Sequence, residues 1–290
     1  MGGGAPVYER KYMEELHGVL ARHAFHFKKQ YGQNFLTDPN LLSAIVRDAG
    51  VDENTTVLEI GAGAGALTRA LSEGAKRVVS YEIDKTLQPV LAETLSGCEN
   101  VEVVFRDFLR EDLKRVEQEL GSYRVVANLP YYVTTPVVMR FIEEAEHCLG
   151  ISVMVQEEVA ERFCAKAGTS EYGAVTAAIA RRGECRIVRS VPRTMFTPRP
   201  NVDSAVVRVD FSERFKVKSA KAYRDTVKCA FGSRRKTLEN NLVNFFRITR
   251  VEAKAILQEA GIQDGVRGET LTPEGLGNLS DILVEHKIIQ

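Results

Sequence analysis

Apolar and polar positions follow two rhythms along this chain. Between residues 55 and 156, short runs rich in Val and Ile ("TTVLEI", "RVVSYEI", "VEVVF", "YRVVAN" and "ISVMVQ") alternate with stretches of helical spacing: "ALTRALSEG", "KTLQPVLAETLS", "EDLKRVEQEL" and "TPVVMRFIEEAE". Strands that alternate with helices over about 100 residues predict a parallel sheet covered on both faces. Ligands of such sheets sit beyond the carboxyl ends of the strands. Upstream, Tyr12, Leu16, Val19 and Leu20 recur at helical spacing, and Asp38-Pro39 reads as the cap and first position of a helix that stops at Gly50. After Phe196 the rhythm changes: one more strand, "SAVVRVDF", gives way to "AKAYRDTVKCAF", "RRKTLENNLVNFF", "RVEAKAILQEAG" and "TPEGLGNLSDILVEH". The pattern predicts an α/β chain with a leader helix over 1–24, a mostly parallel sheet domain over 25–212 and a small all-α domain over 213–290.

Composition narrows this picture. The 290 residues are 44% hydrophobic with a formal charge of +0, so attraction to a polyanion must come from local clusters. One such cluster spans Arg181 to Arg199, with Arg181, Arg182, Arg186, Arg189, Arg193 and Arg199 against a single acid, Glu184; a second is Lys228, Arg234, Arg235 and Lys236. The five cysteines are scattered without a C-x-x-C pair, which argues against a disulfide framework and against a zinc site. No metal site is expected. With no apolar run near the roughly 18 residues that span a bilayer, and no apolar signal core in "MGGGAPVY", the expectation is a cytoplasmic protein without membrane contact.

Candidate chemistry gathers at four strand ends. In "VLEIGAGAGALTRAL", Gly61, Gly63 and Gly65 let backbone approach a ligand at a helix N-terminus. Glu82, 21 residues after Gly61 and followed by Ile83, ends the next strand, where a carboxylate can accept both hydroxyl protons of a ribose. Read as G-x-G-x-x-A the loop suits a dinucleotide, and read as E-x-G-x-G-x-G it suits S-adenosylmethionine. At the following strand end, Asp107 can accept from an adenine amino group and Phe108 can pack on the ring, although Asp107 can equally cap the helix behind it.

The fourth strand ends in Asn128-Leu129-Pro130-Tyr131. An exocyclic adenine nitrogen is a poor nucleophile because its lone pair is conjugated into the ring. Two acceptors on its protons, the Asn128 side-chain oxygen and the Leu129 carbonyl, would draw it toward tetrahedral geometry. Pro130 stiffens the turn and adds no N–H, and Tyr131 offers a stacking face worth roughly 1–3 kcal/mol. Methyl transfer from a sulfonium then rests on positioning, with no general base required.

These motifs in this order resemble the KsgA-type small-subunit ribosomal RNA adenine dimethyltransferases. "FHFKKQYGQNFLTDPN", "LEIGAGAGALT", "YEID", "RDFL", "NLPYYVTTP", "MFTPRPNVDSAVVR" and "SRRKTLENNL" carry the resemblance from about Phe25 to the C-terminus. It implies a Rossmann-like class I methyltransferase with a seven-stranded sheet and S-adenosylmethionine as cofactor. Gln33, Asn34 and Leu36 would then lie over the cofactor, Gly61 and Gly63 under its methionine part, Glu82 with Ile83 on the ribose, and Asp107 with Phe108 on the adenine. Asn128 would span cofactor and substrate, with Phe196 facing Tyr131 across the flipped base. The implied reaction is N6-dimethylation of two adjacent adenosines near the 3′ end of 16S rRNA in the immature 30S subunit, by a monomer. Two aromatic faces offset the few kcal/mol of unstacking, and Arg181, Arg182, Arg193, Arg199, Arg234, Arg235 and Lys236 would meet phosphate.

Three other readings compete. An Erm-type enzyme acting on large-subunit rRNA shares the glycine loop and a similar tetrapeptide, but the segments around Phe196 and Arg234 look more KsgA-like. A non-catalytic rRNA-binding assembly factor would need none of Asn128, Tyr131 and Phe196. A nicotinamide dehydrogenase rests on the glycine loop alone and lacks a proton-transfer constellation.

Overall fold

The computed structural model describes residues 18–28, 33–36 and 38–289. The expected leader helix therefore lies mostly outside the described residues; within them, 18–22 are helical.

Strand β1 (Phe35–Leu36) precedes helix α1 (Pro39–Asp48), and the Asp38 carboxylate caps that helix by accepting from the N–H groups of Asn40 and Leu41. The alternating part runs β2 (Thr56–Ile60), α2 (Ala66–Gly74), β3 (Arg77–Tyr81), α3 (Gln88–Thr94), β4 (Val101–Val104), α4 (Leu113–Leu120), β5 (Tyr123–Asn128), α5 (Tyr131–Glu144) and β6 (Cys148–Gln156). β2 pairs in parallel with both β3 and β5, β3 with β4, and β5 with β6. The chain continues through α6 (Glu157–Phe163), α7 (Ala174–Arg182), β7 (Cys185–Val191), β8 (Phe196–Thr197) and β9 (Ser204–Asp210). The main sheet has the order β4-β3-β2-β5-β6-β9-β7. Its seven strands, with parallel pairing through the first five, match the expected α/β class.

Two strand successions leave β2 in opposite directions, toward β3 and β4 on one side and toward β5 and β6 on the other. The crevice at their shared carboxyl edge is where open α/β sheets place ligands. Val57, Val78 and Val126 pack beneath it against α1 and α2 residues Leu42, Ile45, Leu67 and Leu71.

The rest is α8 (Ala220–Phe231), α9 (Leu238–Phe246), α10 (Arg250–Glu259) and α11 (Pro273–Glu285). Each begins at a Ser or Thr cap (Ser219, Thr237, Thr249 and Thr272), and Thr249 with Glu252 closes a capping box. The chain divides into two compact units, residues 1–160 with 186–208 and residues 161–185 with 209–290. The expected cut at 212 runs straight along the sequence, whereas the helical unit also takes in 161–185. Tyr172 and Ala177 from that stretch are buried with Tyr223, Leu242, Ile256, Leu276 and Leu283.

Strand β7 was not expected, because Arg186 and Arg189 made its sequence read as a basic patch. Part of that patch is structural: Arg189 Nε lies 2.6 Å from an Asp48 carboxylate oxygen. Arg208, on β9 and outside the patch, donates to the Asp48 carbonyl at 2.8 Å. The scattered cysteines also hid a contact, since the Cys164 and Cys185 sulfurs stand 2.8 Å apart. Among the described residues no helix is long and apolar enough to cross a membrane, and no group of three or more His, Cys, Asp or Glu could hold a metal ion.

Leu276, Leu279 and Leu283 place one face of α11 in the helical core, all fully buried. Leu276→Ala should lower the stability of that unit by about 2–5 kcal/mol, read as an earlier urea midpoint for the helical signal.

Candidate active site

Beyond the ends of β2, β3, β4 and β5 lies a cleft of about 1180 Å³, including its open mouth. Its walls bring together Gln33, Asn34, Leu36, Gly61, Gly63, Glu82, Ile83, Asp107, Phe108, Asn128, Leu129, Pro130, Tyr131 and Phe196. All the expected catalytic and cofactor positions thus meet in one place.

The glycine loop forms the inner wall. Gly61 has φ +85° and Gly63 φ +55°, in the left-handed region that other residues avoid. A Cβ at Gly61 would stand 3.3 Å from the Asn128 carbonyl, and one at Gly63 would stand 3.1 Å from the Phe35 ring. The first approach brings the loop against the Asn128 corner, and the second brings it against β1.

Glu82, only 6% exposed, lies at the end of β3. Its Oε2 accepts from the Gly63 N–H and its Oε1 from the Asp84 N–H, both at 2.8 Å. Burial raises its carboxyl above the usual range, against the lowering effect of these backbone bonds. A carboxylate has about four acceptor sites, so capacity remains for a ligand hydroxyl. Beneath it, Glu59 is fully buried, with Thr68 and Ser80 hydroxyls both donating to its Oε2 at 2.6 Å and Oε1 without a partner. Burial pushes the Glu59 carboxyl up to about 7.

Asp107 accepts from the Leu109 N–H at 3.0 Å and pairs with Arg110, so it caps the short turn Phe108–Arg110; Asp112 caps α4. The Phe108 ring is largely committed elsewhere. It is 3% exposed, stacked on Phe141 at 5.4 Å and edge-on to Tyr81 at 5.2 Å. Ile83 and Leu109 are the exposed apolar side chains on that wall, and Leu109 was missed because nothing in its sequence setting separates it from a helix-packing leucine.

Asn128 closes β5, and Pro130 stands at the N-cap of α5 with Tyr131 as the first helical residue. The Asn128 side-chain nitrogen makes a long contact of 3.5 Å to the Asn34 carbonyl, which leaves its oxygen to accept elsewhere. The Tyr131 hydroxyl is 2.9 Å from Ser204 Oγ on β9, a residue 1% exposed. That anchor fixes one end of the ring, and sequence spacing could not reveal it. Phe196 faces the cleft from β8, which pairs antiparallel with β1 in the register Leu36↔Phe196. At 5% exposed its ring is buried.

The basic residues separate into two kinds. Arg193 and Arg199 in the sheet unit, and Arg234, Arg235 and Lys236 in the helical unit, are exposed. Arg181 is not available to phosphate as expected: it is 7% exposed, 3.5 Å from Glu213 and stacked over Tyr223. Arg182 lies over the Phe211 ring at 4.5 Å, and Arg234 ties Glu269 to the Ser170 and Tyr172 carbonyls. Charge composition put Arg181 beside Arg182 in a basic run, and it does not show which side of α7 the core covers.

Two outcomes follow from this geometry. Gly61→Ala forces a left-handed alanine and should cost about 1–2 kcal/mol, visible as a lower melting temperature. A Glu59 carboxyl raised above its unfolded value favours the protonated folded state. Its stabilising contribution is full below about pH 4.5 and falls as pH rises toward about 7. Glu59→Gln should flatten that part of the stability profile, whose span is at most about 3 kcal/mol, measured by urea unfolding between pH 4.5 and 8.

The family model for ribosomal RNA adenine dimethylase matches residues 24–283. The chain is 45% identical over 276 residues to the ribosomal RNA small subunit methyltransferase A of Bacillus licheniformis, covering 92% of this chain and 94% of that protein. It is 44% identical over 278 residues to the same-named protein of Enterococcus faecalis, with 93% and 94% covered. The solved 23S rRNA methyltransferase ErmE superposes with a TM-score of 0.66 at 30% identity, over 87% of this chain and 100% of that one. A dimethyladenosine transferase from Plasmodium falciparum shares the fold with a TM-score of 0.75 at 23% identity, over 87% and 97%. Together with the glycine loop, the strand-end acids and the Asn128 corner on one cleft, these matches place the chain in the ribosomal RNA adenine dimethylase family.

Proposed function

We propose that this chain dimethylates N6 of two adjacent adenosines near the 3′ end of 16S rRNA, acting as a cytoplasmic monomer on the immature 30S subunit with S-adenosylmethionine as cofactor. One observation supports this most: the Asn128–Tyr131 corner stands on the rim of the same cleft whose inner wall carries the glycine loop and Glu82. The residues fit such a cofactor. A buried carboxylate with spare lone pairs suits ribose hydroxyls, the left-handed glycines let backbone approach a chain of methylenes, and Ile83 and Leu109 offer apolar surface to a flat base beside Asp107.

When bound, S-adenosylmethionine supplies a methyl group already activated by its sulfonium. The chain then has to position the acceptor. Asn128 Oδ1 and the Leu129 carbonyl would accept hydrogen bonds from the two N–H groups of the adenine amine, which localises the nitrogen lone pair. Pro130 holds the corner rigid. Tyr131, tethered at its hydroxyl by Ser204, offers the stacking face, and Phe196 supports the opposite side. Exposed Arg193 and Arg199 in one unit, and Arg235 and Lys236 in the other, would each neutralise phosphate. The helical unit would serve mainly to bind the ribosomal particle.

The small-subunit target is favoured over the large-subunit one by identity of 45% with a small-subunit enzyme against 30% with ErmE. The deciding experiment offers immature small subunits and free large subunits as methyl acceptors and maps methyl groups on the rRNA by mass. Dimethylated adenosines in the small subunit alone are the expected result; methylation of large-subunit rRNA, or none, would overturn the reading. Asn128→Ala should lower turnover by about 100-fold or more while rRNA binding in a filter assay persists.

A further inference from the structure

The Asp84 side chain plays no part in the reading above, yet it is 2% exposed and its carboxylate accepts from Lys28, Gln33 and Thr86. Its Oδ1 accepts from Lys28 Nζ at 2.7 Å, and from the Thr86 hydroxyl at 2.7 Å and N–H at 3.1 Å. Its Oδ2 accepts from Gln33 Nε2 at 3.0 Å. The Gln33 side-chain oxygen in turn accepts from the Lys28 N–H at 2.9 Å, and Lys28 Nζ also reaches the Thr86 hydroxyl at 2.8 Å. Through its own N–H, Asp84 holds Glu82 Oε1. One buried residue therefore gathers residues 28 and 33 through its carboxylate, and the acid at the end of β3 through its backbone N–H. Burial opposes ionisation of Asp84, but the bonds from Lys28, Thr86 and Gln33 outweigh it and hold the carboxyl below its usual range.

The consequence reaches the cleft from two sides. Gln33, Asn34 and Leu36 line it as a strap, which β1 fastens at one end through pairing with β8. Lys28 and Gln33 fasten the other end to Asp84. Glu82, on the opposite side of Asp84, keeps its carboxylate oriented by the Asp84 and Gly63 N–H groups. A charge-assisted bond that is mostly shielded from water is among the stronger single contacts available. Lys28 is one-third exposed, so its ammonium can be removed without opening a core.

We propose that Asp84 and Lys28 form a latch that positions the Gln33–Leu36 strap and Glu82 together, and so sets affinity for the nucleoside cofactor without entering the methyl transfer. Both are positioning residues, and the role assigned to the cofactor rests on the function proposed above. The latch itself can be tested without that assumption, by amide hydrogen exchange in peptides covering residues 33–36.

The experiment compares wild type, Lys28→Met, Lys28→Arg and Asp84→Asn. In ligand-free protein, Lys28→Met should speed exchange at residues 33–36 by about tenfold or more, the weight of one charge-assisted bond. Calorimetry should show a similar rise in the dissociation constant for S-adenosylmethionine. KM for the cofactor should rise with it, while kcat at saturation stays within about twofold of wild type. Lys28→Arg, which keeps the charge, should recover most of both losses. Unchanged exchange at residues 33–36 in Lys28→Met and in a folded Asp84→Asn would overturn the latch, as would a loss confined to kcat. If wild type itself fails to bind S-adenosylmethionine while the exchange difference stands, the cofactor assignment falls and the latch survives.

Discussion

A single carboxylate, Glu82, joins the pieces of this site. One oxygen is bound to the backbone of the glycine loop after β2, and the other is bound to the backbone of the turn after β3. In a medium of low polarity such bonds are strong, and an unpaired carboxylate there would be expensive. The relative position of two strand ends is thereby tied to a group that still has lone pairs facing the cleft. The glycine loop shares the arrangement, since Gly63 donates to Glu82 from a left-handed backbone.

The outer wall has a different physical basis. Strands β1 and β8 are two residues each, too short to persist alone. They are held by burial: Phe35, Leu36 and Phe196 are each 7% exposed or less, and the Phe35 ring lies under Gly63. The segment that covers the cleft therefore rests on the loop that forms its inner wall. The Asn128 corner completes the enclosure, with its carbonyl close to Gly61 and its amide reaching toward Asn34.

Much of this was legible in the amino-acid sequence because it depends on local chemistry. Val- and Ile-rich runs between amphipathic stretches specify β2 to β6 and their helices, and the residues at strand ends are brought together by parallel topology alone. Long-range partners were not legible. Ser204 under Tyr131, Asp84 beneath Lys28 and the Cys164–Cys185 contact join positions 73, 56 and 21 residues apart, which periodicity does not constrain. Phe108 shows the same limit in reverse: its place at a strand end suggested a ligand contact, and only packing against Phe141 shows where its ring is held. Arg181 illustrates why charge runs mislead. A guanidinium beside a buried tyrosine face can be part of a core.

The helical unit is assembled from two stretches that are not adjacent in the chain, 161–185 and 209–290. Tyr172 and Ala177 belong to the first, and their buried neighbours Tyr223, Leu242 and Leu276 belong to the second. During synthesis Tyr172 and Ala177 leave the ribosome before the buried neighbours they are packed with, and they wait for those neighbours until the later helices emerge. A catalytic fragment cut at 212 would keep the first stretch of the helical unit and lose the second, so this enzyme cannot be shortened to its sheet by a single excision.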